Sequence, residues 1–226
     1  MRVLVVTGTD TEVGKTVVTA VIAVEQLARG RSVAVVKPAQ TGVDAADDGD
    51  LAEVRRLAGD VSVHEGVRLP DPLAPDAAAR VAGRDLPSLE EQSGLVAAAS
   101  TQHDVTLVEG SGGVLVNLGD RWNLLDLAER LQGEGHRVSF VVVARAGLGT
   151  LNHTALTVHA IQARELEVEG VVIGSWPAHP GLAAAQNLVD LPLLTGVPVL
   201  GEVPEGAGGL AVPEFRRAAP SWVRPL

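Results

Sequence analysis

The chain has 226 residues, of which 46% are hydrophobic and 20% charged, so it is long enough and apolar enough to bury the core of one α/β domain. Its net charge is −10 and its 18 basic residues are scattered, which argues against a nucleic-acid partner. Cysteine is absent, which excludes disulfides, thiolate metal sites and thiol nucleophiles. No apolar run reaches the ~20 residues that span a bilayer, and residues 1–7 are too short for a signal peptide. We expect a single domain over residues 1–226, soluble in the cytoplasm and without a membrane partner.

Short apolar runs rich in β-branched residues predict buried strands at residues 3–7, 33–37, 105–108, 138–144, 171–173 and 197–200. Helical patterns predict helices at residues 14–29, 50–58, 88–102 and 152–165. Residues 88–91 match a capping box, in which a serine and a glutamate satisfy each other's backbone N–H groups. Residues 41–49 are polar and predict a loop, while the proline-rich residues 66–87 predict an irregular connection around one short helix.

This alternation of strands and helices predicts an α/β fold with a doubly wound, mainly parallel sheet and helices on both faces. Ligands bind such sheets at the carboxyl ends of the strands, and the distinctive residues of this chain all follow predicted strands. The order of the elements is typical of P-loop nucleotide-binding domains.

The strongest local signal is the segment from Gly8 to Thr16, which lies between a predicted strand and a predicted helix, as a P-loop must. Backbone N–H groups of such a loop wrap phosphates, and the helix N-terminus adds the positive end of its dipole. Lys15 is expected to reach the β- and γ-phosphates and the Thr16 hydroxyl to bind Mg²⁺. Five residues, instead of the usual four, separate Gly8 from Gly14, so the alternative is a strand–turn–helix whose glycines only make the turn.

A carboxylate inside this loop, Glu12, is unfavourable beside triphosphate unless it faces Mg²⁺ or a cation. It therefore indicates either a metal-linked role or a substrate that carries an amine. The alternative is that Glu12 points to solvent.

Two other strand ends carry charged residues. Lys37 follows the second predicted strand, where an ammonium group stabilises negative charge on a transferring phosphoryl group; the alternative is a solvated surface lysine. Glu109 ends the third strand before a glycine-rich turn. Together with Thr16 and Asp50 it gives an oxygen-only ligand set that waters and phosphates would complete around Mg²⁺. Taken alone, Asp50 is also a candidate helix N-cap, and Asp47 and Asp48 are its near rivals.

Four motifs resemble the dethiobiotin synthase family: the loop at residues 8–16, Lys-Pro-x-Gln-Thr-Gly from Lys37, Val-Glu-Gly-x-Gly-Gly from Val108, and residues 149–154. They run in order from residue 8 to about residue 206. The resemblance implies a homodimer, with its active site at the subunit interface, that converts 7,8-diaminononanoate and CO₂ to dethiobiotin. ATP or another nucleoside triphosphate would be consumed with Mg²⁺ as cofactor.

The resemblance also implies roles for individual residues. The catalytic set is Lys37, Lys15, Thr11 and Glu12. The phosphates and their surroundings would be bound by Glu12, Val13, Gly14, Lys15, Thr16, Val17, Glu109, Gly110, Ser111 and Gly112. Mg²⁺ would be bound by Thr16, Asp50 and Glu109. The substrate would be contacted by Lys37, Thr41, Thr150, Leu151 and Asn152, the last three at a helix N-terminus that suits a carboxylate and belongs to the partner subunit.

The chain departs from the family pattern where many members carry an asparagine that binds the adenine edge. Residues 174–177 here are Gly-Ser-Trp-Pro. Backbone groups of Gly174 and Ser175, and the stretch Pro204, Glu205 and Gly206, are expected to line the base instead. Strict selectivity for ATP is therefore not expected.

Three other functions compete with this interpretation. A partitioning-type P-loop ATPase usually carries an additional lysine early in the loop, and residues 7–13 contain none. A related amidoligase that makes cobyrinate diamide adds a glutaminase domain with a cysteine nucleophile, and this chain has no cysteine. A carbohydrate or nucleoside kinase would use a carboxylate base near the acceptor hydroxyl, and the motifs alone leave that possibility open.

Overall fold

The computed structural model describes residues 1–226. Seven strands form the sheet: β1 (Arg2–Gly8), β2 (Val33–Thr41), β3 (Ser62–Leu69), β4 (Val105–Gly113), β5 (Arg137–Ala144), β6 (Glu167–Trp176) and β7 (Val199–Pro204). Eight α-helices connect or follow them: α1 (Lys15–Ala28), α2 (Asp50–Ala58), α3 (Pro75–Ala82), α4 (Leu89–Gln102), α5 (Leu124–Gly133), α6 (Thr150–Gln162), α7 (Leu182–Thr195) and α8 (Val212–Ala218). Two short 3₁₀ helices, Ala207–Gly209 and Ala219–Ser221, flank α8.

All neighbouring strands are parallel, in the order β3-β2-β4-β1-β5-β6-β7. The predicted doubly wound α/β fold is confirmed. Strands β2 and β3 lie on one side of β1, and β5, β6 and β7 lie on the other, so the winding direction reverses beside β1. In sheets of this type the crevice for a ligand opens at that reversal, at the carboxyl ends of the strands.

The core lies in two layers, one on each face of the sheet. Alternate residues of β1 separate into them: Val3 and Val5 pack with α3 to α7, whereas Leu4 and Val6 pack with α1, α2 and α8. Because both faces are covered, the central strands are apolar without a break, as parallel strands must be. None of the helices combines the length and hydropathy needed to cross a bilayer.

Two strands extend beyond their predicted ends. β2 continues from Lys37 to Thr41 and β4 from Val108 to Gly113, because Thr41 pairs with the end of β3 and Gly113 with Gly8 of β1. Glu109 and the glycines after it therefore lie in a strand and not in a turn.

The prediction that residues 66–87 are irregular was wrong at its start, because residues 66–69 complete β3. β3 is an edge strand with one neighbour, so it carries charged residues and Gly66 where a central strand carries apolar ones. The single short helix expected in this stretch is α3. Helices α5, α7 and α8 are absent from the sequence-based expectation, and α7 contains Pro192 in its last turn.

Candidate active site

The P-loop connects β1 to α1 and ends at the start of that helix. Gly14 occupies the N-cap of α1 with φ 94°, and a Cβ there would lie 2.6 Å from the carbonyl oxygen of Gly174. Only glycine fits this left-handed, closely packed position. No side chain caps α1, so its first N–H groups stay available to phosphate oxygens. Glu12 also adopts a positive φ, 56°, and its side chain is exposed at the mouth of the loop.

Asp10 holds this loop in shape. Its Oδ1 accepts the backbone N–H of Thr11 at 2.8 Å, and its Oδ2 accepts Arg145 Nη2 at 2.7 Å. Its backbone oxygen accepts the ammonium group of Lys15 at 2.9 Å. Neither Asp10 nor Arg145 was singled out from the sequence, since neither role follows from spacing.

The Lys15 ammonium group is buried beside a second cation. Burial, and then the proximity of Lys37, lower the pKa of Lys15 to about 8. An anionic phosphate at this position would raise the pKa of Lys15 and stabilise its charged form, so the loop favours an anionic ligand electrostatically.

Lys37 lies within β2 with its side chain buried, so the alternative of a solvated surface lysine is wrong. Its Nζ donates to Glu109 Oε1 at 2.8 Å and to the backbone oxygen of Gly110 at 3.2 Å, and it pairs with Asp50 Oδ2 at 2.5 Å. Burial lowers the pKa of Lys37, but Glu109 and then Asp50 outweigh that effect and the pKa is raised. Lys37 is therefore a fixed positive charge.

The three expected Mg²⁺ ligands meet around this lysine. Thr16 Oγ1 donates to Glu109 Oε1 at 2.9 Å, and Asp50 and Glu109 both pair with the Lys37 ammonium group. Glu109 is fully buried, yet its Oε2 has no hydrogen-bond partner. A buried carboxylate oxygen without a partner is costly unless a cation or a donor occupies its remaining lone pairs.

The donor set fits Mg²⁺ that arrives with phosphates. No cluster of three or more histidine, cysteine or acidic side chains is arranged to hold a metal ion. Mg²⁺ commonly takes one or two carboxylates and completes its octahedron with waters and nucleotide phosphates. The two carboxylates and one hydroxyl beside this P-loop are a ligand set of that kind. Glu109 Oε2, which has no hydrogen-bond partner, is the oxygen available to the metal.

A cleft of about 290 Å³ opens over these groups. It brings together nine of the 22 predicted site residues: Thr11, Glu12, Lys15, Thr16, Lys37, Thr41, Asp50, Ser111 and Gly112. Gln40 and Val43 also line it and were not predicted. Gly110 lies behind the cleft, where its backbone oxygen accepts Lys37.

A second cleft of about 560 Å³ adjoins the first and shares Thr11, Thr41, Ser111 and Gly112 with it. Its far wall, residues 72–75, comes from the proline-rich segment, and Val116 adds an apolar side. The first cleft is thus lined mainly by charged and polar residues, whereas the second is larger and partly apolar.

The residues expected around the base lie on the other side of the P-loop. Gly174 packs so closely on the loop that a Cβ would lie 2.0 Å from the oxygen of Val13. Four of these residues are exposed: Ser175, Pro204, Glu205 and Gly206. The backbone N–H of Glu205 donates to the backbone oxygen of Trp176 at 2.8 Å. Val17 faces the same region, 3.1 Å from the position of a Cβ on Gly208.

The predicted substrate segment at the start of α6 lies apart from both clefts. Thr150 is buried and shares a hydrogen bond with Thr154, Leu151 is half-buried, and Asn152 is exposed. None of the three lines either of these two clefts.

Known proteins match this chain over most or all of its length. The AAA domain family matches residues 2–212. The septum site-determining protein MinD from Pyrococcus horikoshii, complexed with Mg-ADP, aligns with a TM-score of 0.59 at 16% identity over 96% of this chain and 86% of that one, which shows a shared fold.

Two curated relatives are much more similar. The ATP-dependent dethiobiotin synthetase BioD of Streptomyces coelicolor is 52% identical over 100% of this chain and 93% of that protein. The protein of the same name from Rhodococcus jostii is 53% identical over 98% of this chain and 94% of that protein. With relatives this similar over its whole length, the chain belongs to the ATP-dependent dethiobiotin synthetase family.

Proposed function

We propose that this protein is an ATP-dependent dethiobiotin synthase, a ligase of biotin biosynthesis that uses 7,8-diaminononanoate and CO₂. The observation that carries the proposal is the pair of buried ammonium groups, Lys15 and Lys37, which line one cleft at the carboxyl ends of β1 and β2. Triphosphate and a carbamate are both anions, so a reaction between them needs cations to offset their repulsion. Lys15 offsets the charge of the triphosphate, and Lys37 offsets the charge of the carbamate.

The chemistry needs no nucleophile from the protein. One amine of the substrate adds to CO₂ and loses a proton, which gives a carbamate. A carbamate oxygen attacks the γ-phosphorus of ATP, which forms a mixed anhydride and releases ADP. The second amine then attacks the carbonyl carbon, expels phosphate and closes the ureido ring.

The residues of the clefts divide this work. The P-loop N–H groups and Lys15 hold the phosphates and stabilise charge that develops during phosphoryl transfer. Lys37 holds the carbamate near the γ-phosphate, and Thr41 and Thr11 orient it where the two clefts join. Glu12, at the mouth of the P-loop, provides a carboxylate for a substrate amine. The carbon chain of the diamine fits the partly apolar second cleft.

Mg²⁺ would be held by Thr16, Asp50 and Glu109 and would neutralise phosphate charge when bound. Lys37 bridges the two carboxylates. It thereby keeps the two like charges in position for the metal.

A homodimer would place the start of α6 in the partner's active site. Large apolar side chains surround that helix: Leu115, Leu148 and Leu156 are 63%, 84% and 62% exposed. Exposed apolar surface of this kind marks a protein interface. Across such an interface, the N–H groups of residues 150–152 suit the substrate carboxylate. A small-molecule biosynthetic role also agrees with the acidic surface and with residence in the cytoplasm.

The test is to follow phosphate release and dethiobiotin formation together, by mass spectrometry, with the diamine, bicarbonate, ATP and Mg²⁺. Each omission should abolish both products. Phosphate release that proceeds unchanged without the diamine would instead support a partitioning-type ATPase. Phosphate transfer to a hydroxyl acceptor would support a kinase.

A further inference from the structure

We propose that Gln40 is a positioning residue: its side chain caps helix α2 from a different element and thereby fixes Asp50 in the active site. The inference rests on the proposed function for the role of Asp50 as a metal ligand. The capping itself stands on contacts within this chain.

Helix α2 has no cap from its own sequence. Its N-cap is Gly49, which offers no side chain, and Asp50 is the first helical residue and not the cap. The first N–H groups of a helix have no partner within the helix. One of them, the N–H of Asp50, donates to Gln40 Oε1 at 2.9 Å.

The glycine at the N-cap leaves room for the Gln40 side chain. A Cβ on Gly49 would lie 2.8 Å from Gln40 Oε1 and 3.2 Å from Arg68 Nη2. Serine, threonine, aspartate or asparagine, the usual capping residues, would therefore displace the Gln40 side chain from this position. A buried glutamine on β2 supplies the acceptor that they would have supplied.

Arg68 on β3 fixes the loop before α2. It donates to the backbone oxygens of Asp44 and Asp47 at 3.1 and 2.6 Å. Its guanidinium group is held from behind by two hydrogen bonds to Glu65, at 2.8 and 2.9 Å. The loop is thus held to the sheet by Arg68, which binds its backbone oxygens, and the start of α2 is held by Gln40.

The cap determines where the Asp50 carboxylate lies. Asp50 contributes both the N–H that Gln40 accepts and the carboxylate that pairs with Lys37 at 2.5 Å. Its side chain is 36% exposed, in contrast to the buried Glu109, so burial alone does not hold it. Mutation of a residue that orients a metal ligand commonly lowers metal affinity by ~10- to 100-fold.

The decisive variant is Gln40→Met, which keeps the length of the side chain and removes the acceptor. In ligand-free protein, amide hydrogen exchange measured by NMR should show protection at Asp50 reduced at least ~10-fold, with the end of α2 little changed. Mn²⁺ binding in the presence of ADP, measured by electron paramagnetic resonance, should weaken ~10-fold or more. The Mg²⁺ concentration for half-maximal turnover should also rise ~10-fold or more. The accompanying decrease in kcat at saturating Mg²⁺ should be smaller than this rise.

Ser88→Ala is the matched control. It removes the capping box of α4, in which Ser88 and Glu91 bond reciprocally, and should lower stability without changing Mn²⁺ binding. Gly49→Ala should reproduce the Gln40→Met phenotype, because its Cβ displaces the glutamine oxygen.

Unchanged protection of the Asp50 amide in Gln40→Met would overturn the cap. Lost protection together with Mn²⁺ binding within about twofold of wild type would overturn the positioning role. Wild-type protein that binds no Mn²⁺ with ADP would contradict the proposed metal site itself, and amide exchange would still decide whether Gln40 caps α2.

Discussion

Replacing Lys37 by methionine should separate the two consequences of its charge, one for stability and one for turnover. In the ligand-free protein the lysine is the only cation in contact with Glu109, which is fully buried, and it also pairs with Asp50. Methionine keeps most of the volume and leaves two carboxylates facing each other.

The loss of stability can be estimated from this geometry. Removing one partner of a buried ion pair costs about 3–5 kcal/mol, because the remaining charge is left without compensation. Asp50 is 36% exposed and can turn towards water, so we expect the lower end, about 3 kcal/mol. In a chain of this size that corresponds to a fall in Tm of about 6–12 °C. Turnover should fall at least ~100-fold, because preorganised charge is lost from the transition state.

A second substitution tests the explanation. Glu109→Gln added to Lys37→Met removes the uncompensated charge, so it should recover most of the lost stability while turnover stays below ~1% of wild type. The assay is thermal unfolding in EDTA without nucleotide, beside the dethiobiotin assay with Mg²⁺. A double variant less stable than Lys37→Met, or a Lys37→Met enzyme with near-normal turnover, would refute the reasoning.

Three further predictions concern the metal, the P-loop lysine and the base. Glu109→Gln alone should keep the fold and raise the Mg²⁺ concentration for half-maximal turnover ~10-fold; full activity at low Mg²⁺ would mean that another carboxylate holds the ion. Because the pKa of Lys15 is about 8, nucleotide binding above that pH should take up a proton, and affinity should fall as pH rises. Calorimetry in buffers of different ionisation enthalpy checks this, and equal uptake by Lys15→Met would contradict it. Since residues 174–177 contain no asparagine, GTP, CTP or UTP should support kcat/KM within about a hundredfold of ATP. A preference for ATP beyond a thousandfold would reveal an unidentified base contact.

Residues whose role depends on neighbours in sequence were predictable. The P-loop and the capping box at Ser88 each act within a few residues, and both form as expected. The central strands were recognisable because burial on both faces makes them continuously apolar. Lys37 and Glu109 each follow the apolar run of a central strand, and Thr16 lies at the start of the helix after β1, so these three residues come together as expected.

Features that depend on pairing across the sheet were not predictable. β3 was missed because an edge strand needs few apolar residues, and β2 was ended too early at Pro38. Pairing of β2 with β4 ends at Val36, so Pro38 lies where the strand has one neighbour and a missing N–H is tolerated. The role of Gln40 depends on a helix that starts ten residues later, and no local pattern indicates it.

The most direct test of the central claim follows oxygen from CO₂ to phosphate. If a carbamate attacks ATP and phosphate is later expelled from the mixed anhydride, one carbamate oxygen leaves with that phosphate. Short incubations with ¹⁸O-labelled bicarbonate in unlabelled water, followed by mass spectrometry, should therefore give one ¹⁸O atom in each phosphate released, and only when the diamine is present. Phosphate that carries no ¹⁸O, while dethiobiotin still forms, would contradict the account.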